Sequence, residues 1–186
     1  MKQTMRTIGM LALMLMAHVA SYAQVVVVAN RNVTYEDPRF GSTAKVPKGE
    51  AISVSNSRGS TYEWFLYPAA SVDLPKSAFH IPGSVNGEKC IVVNGTNVRF
   101  REGPSLKTGI YCYDCMSAAS YYRYEFVKDA KIKRDYTNAD GLIVRWEPIT
   151  MPKGTRLPYK GKVGDFYKTA FDGYTLYISA KYSYLK

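Results

Sequence analysis

Four short motifs occur twice along this chain in the same order, and that recurrence limits the fold more than any other feature. The first set is NVTYEDP (32–38), VPKGEAISV (46–54), EWFLY (63–67) and LPKSAF (74–79). The second is NVRFREGP (97–104), MPKGTRLPY (151–159), DFYKTAFDG (165–173) and YISAKY (177–182). Each time an Asn-Val stretch runs into a Pro turn, a Pro-Lys-Gly turn opens the next stretch, and an aromatic pair precedes a closing stretch. Repetition of this kind predicts two copies of one small supersecondary arrangement. They join near 81–87, where IPGSVNG carries turn and linker residues.

The copies read as β-structure. The run VVVVANRNV after Gln24, and the stretches 51–55, 63–67, 90–93, 121–127, 142–147 and 176–179, are dominated by β-branched and aromatic residues. They have strand length and are broken by Gly, Pro, Asn and Asp. No segment sustains a helical period, although a short helix is allowed for within 105–119. The sixteen tyrosines fit the same class, because a Tyr ring packs on a pleated surface while its hydroxyl stays wet.

The copies differ in one large way. Between Pro104 and Pro152 the second carries over forty residues where the first, between Pro38 and Pro47, carries fewer than ten. This insertion contains CYDC, SYYRYEFV, the basic KDAKIKRD and NADGLIVRWEPI. Alternation puts Tyr122, Tyr124 and Phe126 on one face of a strand and Leu142, Val144 and Trp146 on one face of a later one, so that the two could pair as a hairpin. A loop this long inside a small domain is functional or carries structure of its own.

The start, MKQTMRTIGMLALMLMAHVASYAQ, has Lys2 and Arg6 before an apolar run and small residues at Ser21 and Ala23. That is the pattern of a signal peptide cut before Gln24, and its apolar run is short of the roughly 20 residues that cross a bilayer. The expected organisation is a signal peptide at 1–23, a first domain at 24–82, and a second at 83–186 with its insertion at 105–149. Removing 1–23 lowers the net charge from +10 to +8. A basic exported protein would meet cell-wall polymer, peptide carboxylates or anionic lipid rather than nucleic acid, and the charge could equally serve solubility. No membrane insertion is expected, and the place of action is periplasmic or extracellular.

The segment NVRFREGPSLKTG resembles the opening of bacterial SH3-like (SH3b) domains, whose usual form is an Asn-Val-Arg strand followed by a Gly-Pro-Ser turn. The later PKGTRLPYKGKVGDFYKTAFDGYTLYISAKYSYL is similar to the rest of such a domain, from a Lys-Gly turn to a closing Tyr-x-x-Leu. The first copy lacks the Arg and the Gly of the turn and is assigned by analogy with the second. The resemblance implies two tandem small SH3-like β-barrels, the second enlarged by a β-rich insertion. SH3b domains occur beside cell-wall hydrolases or alone in exported proteins, and some bind cell-wall peptides, which implies a binding module by analogy of fold.

Catalysis finds little support. A Ser or Cys nucleophile needs a positioned base, and His80 is the one histidine left after removal of the signal peptide. Cys112 and Cys115 form a C-x-x-C, and Cys90 stands apart. An exported setting favours a structural disulfide, pairing Cys90 with Cys112 or Cys115 or joining the C-x-x-C pair itself. A thiol redox centre, or a metal site that adds Cys90 and His80, is the alternative. No cofactor and no metal are expected.

The ligand site is expected on the aromatic and basic insertion and the strand before it. Tyr111, Tyr113, Tyr121 and Arg123 offer flat contact and a carboxylate partner beside the insertion's own core, while Arg99 and Arg101 alternate outward from Val98 and Phe100. Tyr122, Tyr124 and Trp146 read equally as that core. The sequence thus describes an exported, non-catalytic binding or adaptor protein whose partner is a cell-wall peptide or another extracytoplasmic peptide. A scaffold subunit, held by a protein partner in an envelope assembly, is the other reading.

Overall fold

A computed structural model describes residues 24–55, 59–66, 70–116, 124–132, 136–137 and 143–186. The expected signal peptide lies outside them. The protein is mainly β, built from several small antiparallel sheets. No described helix is long and apolar enough to cross a membrane.

The pairing scheme of the first half recurs in the second. β1 (Gln24–Ala29) lies between β4 (Ala51–Ser55) and β7 (Phe79–His80), and β8 (Cys90–Val93) lies between β15 (Arg156–Pro158) and β19 (Ser183–Leu185). β2 (Val33–Asp37) pairs with β3 (Ser42–Val46), and β9 (Val98–Arg99) with β14 (Thr150–Met151). β5 (Thr61–Leu66) pairs with β6 (Ala70–Pro75), and β17 (Phe166–Phe171) with β18 (Tyr174–Ser179). A single 3-10 turn precedes the closing strand in each half, at Lys76–Ala78 and Ala180–Tyr182. β16 (Gly161–Val163) is an addition to the second half, edging β17. Among the described residues no sheet closes into a barrel: β2–β3 and β9–β14 stand as separate two-stranded ribbons.

The insertion forms its own sheet, in the order β11 (Tyr124–Val127), β10 (Ile110–Met116), β13 (Ile143–Pro148), β12 (Tyr136–Thr137), with a one-turn helix α1 (Asp129–Ile132). The expected hairpin between the strands around 121–127 and 142–147 is not formed, because β10 pairs on both its edges and separates them. The helix allowed for within 105–119 is also absent from the described part of that stretch, which turns at 106–107 and then enters β10.

The consecutive valines of β1 have a physical reason: both faces of the strand are covered. Val27 and Ala29 face the first half's core with Val33, Val46, Ile52, Val54 and Leu74. Val26 and Val28, with Ala51, pack instead into the second half's core beside Ile91, Phe100, Tyr111, Leu157, Phe171 and Ile178. A strand buried on both faces reads as an unbroken apolar run rather than an alternating one. Burying each valine contributes on the order of 1.5–3 kcal/mol, so this shared core joins the halves.

The connection between them is tied down as well. His80 Nδ1 meets Asn30 Oδ1 at 2.5 Å and Nε2 meets Glu88 Oε1 at 3.0 Å, while the other Glu88 oxygen accepts from the Gly83 amide at 2.7 Å. Gly83 is required here: its φ is +73°, and a Cβ at this position would lie only 2.5 Å from the Cys90 sulfur.

Candidate functional site

A cleft of about 510 Å³ opens where the β17–β18 turn docks on the first half. Phe171 ends one strand and Tyr174 begins the next, leaving Asp172 and Gly173 as a two-residue turn with φ of 47° and 77°. Positive φ at both central residues, filled by Asp-Gly, is the turn that suits the right-handed twist of a hairpin. The turn is held against the first half by its own backbone. The Asp172 amide donates to the Ala51 carbonyl at 2.8 Å, and the Gly173 amide donates to Glu50 Oε1 at 2.5 Å.

The first half supplies the walls. Tyr35 on β2 and Trp64 on β5 meet edge to face, ring centroids 5.5 Å apart. Phe65, half exposed, lies beside them. Tyr174 closes the far side and is supported from behind by Tyr111 and Phe126, at centroid distances of 5.0 and 6.1 Å. The insertion therefore bears on the cleft indirectly, by backing one wall.

Charge is unevenly placed around this opening. Arg39 and Lys45 come from the β2–β3 hairpin. Arg39 is bound to Asp37 through Nε at 2.8 Å and Nη2 at 2.5 Å, and these hydrogen bonds hold the Asp37 carboxyl below the usual carboxylate range. Lys45 is exposed and has no ion-pair partner among the described residues. Glu50 and Asp172 form an acidic floor. Burial, and then the neighbouring Glu50 charge, push the Asp172 carboxyl up to about 7, opposed by a hydrogen bond from the Ser53 backbone. Asp172 Oδ1 is covered from solvent, although the residue itself stays partly exposed, and it has no hydrogen-bond partner among the described residues.

The site residues expected from sequence are dispersed. Tyr111, expected as an exposed contact, is instead wholly buried in the shared core. The start of β10 is buried on both faces, Tyr111 in that core and Ile110 and Cys112 against Val127, Trp146 and Ile132. Arg101 spends Nη1 on the carbonyls of Leu106 and Thr108, both at 2.9 Å, and so fixes the turn that follows it. Arg99 is exposed and faces Asp129 at 3.3 Å. Arg99 and Arg101 do share a second hollow, of about 310 Å³, with Leu106, Phe166 and Tyr182. Tyr121, Arg123 and the side chain of Tyr113 lie outside the described residues.

The expected disulfide is not formed by Cys90 or Cys112, which are free and buried. Cys90 lies against Gly83, whereas Cys112 sits with Ile110, Val127 and Trp146. A bridge within the C-x-x-C is excluded by the strand: three residues along β10 separate the Cα atoms by roughly 10 Å, beyond the roughly 7 Å that a disulfide spans. Burial pushes the Cys112 thiol up to about 12, the opposite of the lowered pKa that a redox cysteine needs. Among the described residues no group of His, Cys, Asp and Glu is placed to hold a metal.

The cleft escapes sequence reasoning because its parts come from four separated segments. EWFLY and FDG are both visible as repeat motifs, but only docking of one half on the other brings Trp64 and Asp172 to the same opening. Comparison with protein-family models, curated proteins and solved structures gives no match for this chain.

Proposed function

We propose that this is an exported, non-catalytic binding protein made of two SH3-like units, and that it recognises a cell-wall peptide in the cleft between them. The cleft itself carries the reading: aromatic walls, a basic rim and an acidic floor in one opening suit a short peptide bearing both carboxylate and amine. Tyr and Trp rings give flat contact to a peptide backbone, Lys45 can receive a carboxylate, and a concave, mostly apolar opening with a few polar groups is the ordinary form of a ligand site. The repeated pairing scheme supports two related units, as the SH3b-like motifs imply. Binding rather than catalysis is favoured because both ring nitrogens of His80 are engaged by Asn30 and Glu88.

Sedimentation of the mature protein with purified peptidoglycan sacculi tests the proposal, beside a variant carrying Lys45→Ala and Trp64→Ala. Binding that survives physiological salt and is lost in the variant is the expected result. Binding by wild type and variant alike, vanishing together as salt rises, would leave only the net charge of the chain at work.

A further inference from the structure

We propose that the face of the second half around the Arg99–Arg101 hollow lies on an anionic phospholipid surface, where Arg99, Lys107 and Lys181 meet headgroup phosphates and Leu106 and Tyr182 enter the headgroup layer. The hollow shares no lining residue with the cleft, so this contact does not depend on a peptide binding there. No acidic residue lines it. Among the described residues its one ion pair is the exposed contact of Arg99 with Asp129, at 3.3 Å.

Apolar side chains are held out into water beside this charge. Leu106 is 71% exposed and Tyr182 47%, and both line the hollow. Val163, also exposed, extends the same face: it stands opposite Phe166, and Phe166 opposite Ser179, and paired residues of an antiparallel sheet point to one side. The turn that carries Leu106 is pinned. Arg101 holds the Leu106 and Thr108 carbonyls, and the Thr108 hydroxyl donates to the carbonyls of Gly103 and Ser105 at 3.0 and 2.7 Å. A lysine adjoins each apolar tip: exposed Lys107 follows Leu106, and exposed Lys181 precedes Tyr182, its Nζ 5.5 Å from the ring centroid.

The first half shows that the repeated frame does not require these side chains. Thr34 and Glu36 of NVTYEDP occupy the places of Arg99 and Arg101 in NVRFREGP. The 3-10 turn that ends in Lys181 and exposed Tyr182 ends in the first half in Ser77 and buried Ala78. Charge and exposed apolar surface are thus present together in one copy only. A soluble polyanion would use the charge and leave Leu106 in water. A bilayer surface uses both, because its phosphates draw the cations while its headgroup layer takes up apolar side chains and a Tyr ring with a wet hydroxyl. Such contact is peripheral and spans nothing.

Vesicle flotation of residues 24–186, which leaves out the apolar run before Gln24, tests this. The vesicles are phosphatidylcholine alone, or with about a third phosphatidylglycerol, at about 0.15 M salt. Wild type is compared with a charge variant, Arg99→Gln with Lys107→Gln and Lys181→Gln, and an apolar variant, Leu106→Ser with Tyr182→Ser. All five side chains are exposed, and the amide NMR spectrum of each variant checks that the fold is kept. Wild type is expected to float with the anionic vesicles only. The charge variant should bind them about a hundredfold more weakly, the scale of three basic groups lost from a membrane surface. The apolar variant should bind about tenfold more weakly. No flotation of wild type, or equal flotation with both kinds of vesicle, overturns the proposal. An apolar variant that binds as tightly as wild type overturns it too, leaving a charged face suited to any soluble polyanion.

Discussion

The amide of Asp172 donates to the carbonyl of Ala51 at 2.8 Å, so a turn of the second half is fastened to a strand of the first. That contact places one carboxyl oxygen, Asp172 Oδ1, out of reach of water in a residue that lines the cleft with a second acid, Glu50. It also completes an opening that the first half would leave without a far wall.

Stability should depend on pH through Asp172. Its carboxyl titrates at about 7 in the folded protein and near 4 in the unfolded chain. The stabilisation is fully present below about pH 4 and is lost as pH rises through about 7. The Tm of wild type should fall across that window, and Asp172→Asn should flatten the fall and melt higher above pH 7. Asn suits the position because it tolerates the left-handed backbone there. A variant whose Tm falls as steeply as that of wild type contradicts the buried carboxyl.

Arg99 and Arg101 should behave differently despite their adjacency. Arg101→Ala removes two hydrogen bonds to the carbonyls of Leu106 and Thr108, and is expected to cost about 1–3 kcal/mol and to speed amide exchange across 102–109. Arg99→Ala breaks only an exposed pair with Asp129 and should cost under about 1 kcal/mol. Urea unfolding with hydrogen exchange checks both. Equal effects would contradict the placement.

Much of the β-structure is legible in the sequence because local pattern and burial agree. The run at Ala51–Ser55 and the one at Cys90–Val93 are strands at those same bounds. Pairing is harder to read. Alternation around Phe126 and Trp146 shows which residues share a face, but not that β10 lies between their strands. Tyr111 misleads for a related reason: an aromatic beside polar neighbours looks surface-bound until both faces of its strand are known to be covered. The cleft is illegible because Tyr35, Glu50, Trp64 and Asp172 share no local pattern, only a docked arrangement.

Cys90 and Cys112 should be unreactive thiols in the native protein. Mass-spectrometric mapping after alkylation should find neither labelled until denaturant is added. Cys112→Ser should destabilise by about 1–3 kcal/mol, the cost of burying a hydroxyl without a partner, among Ile110, Val127 and Trp146. Rapid labelling of Cys112 in the native state would contradict its burial.

The most direct test of the proposed cleft is an amide NMR titration of residues 24–186 with a soluble cell-wall peptide. Shifts gathered at Tyr35, Glu50, Trp64, Gly173 and Tyr174, residues from both halves, are the predicted result. Shifts confined to the hollow at Thr96, Arg99 and Leu106, or none at all, would contradict it.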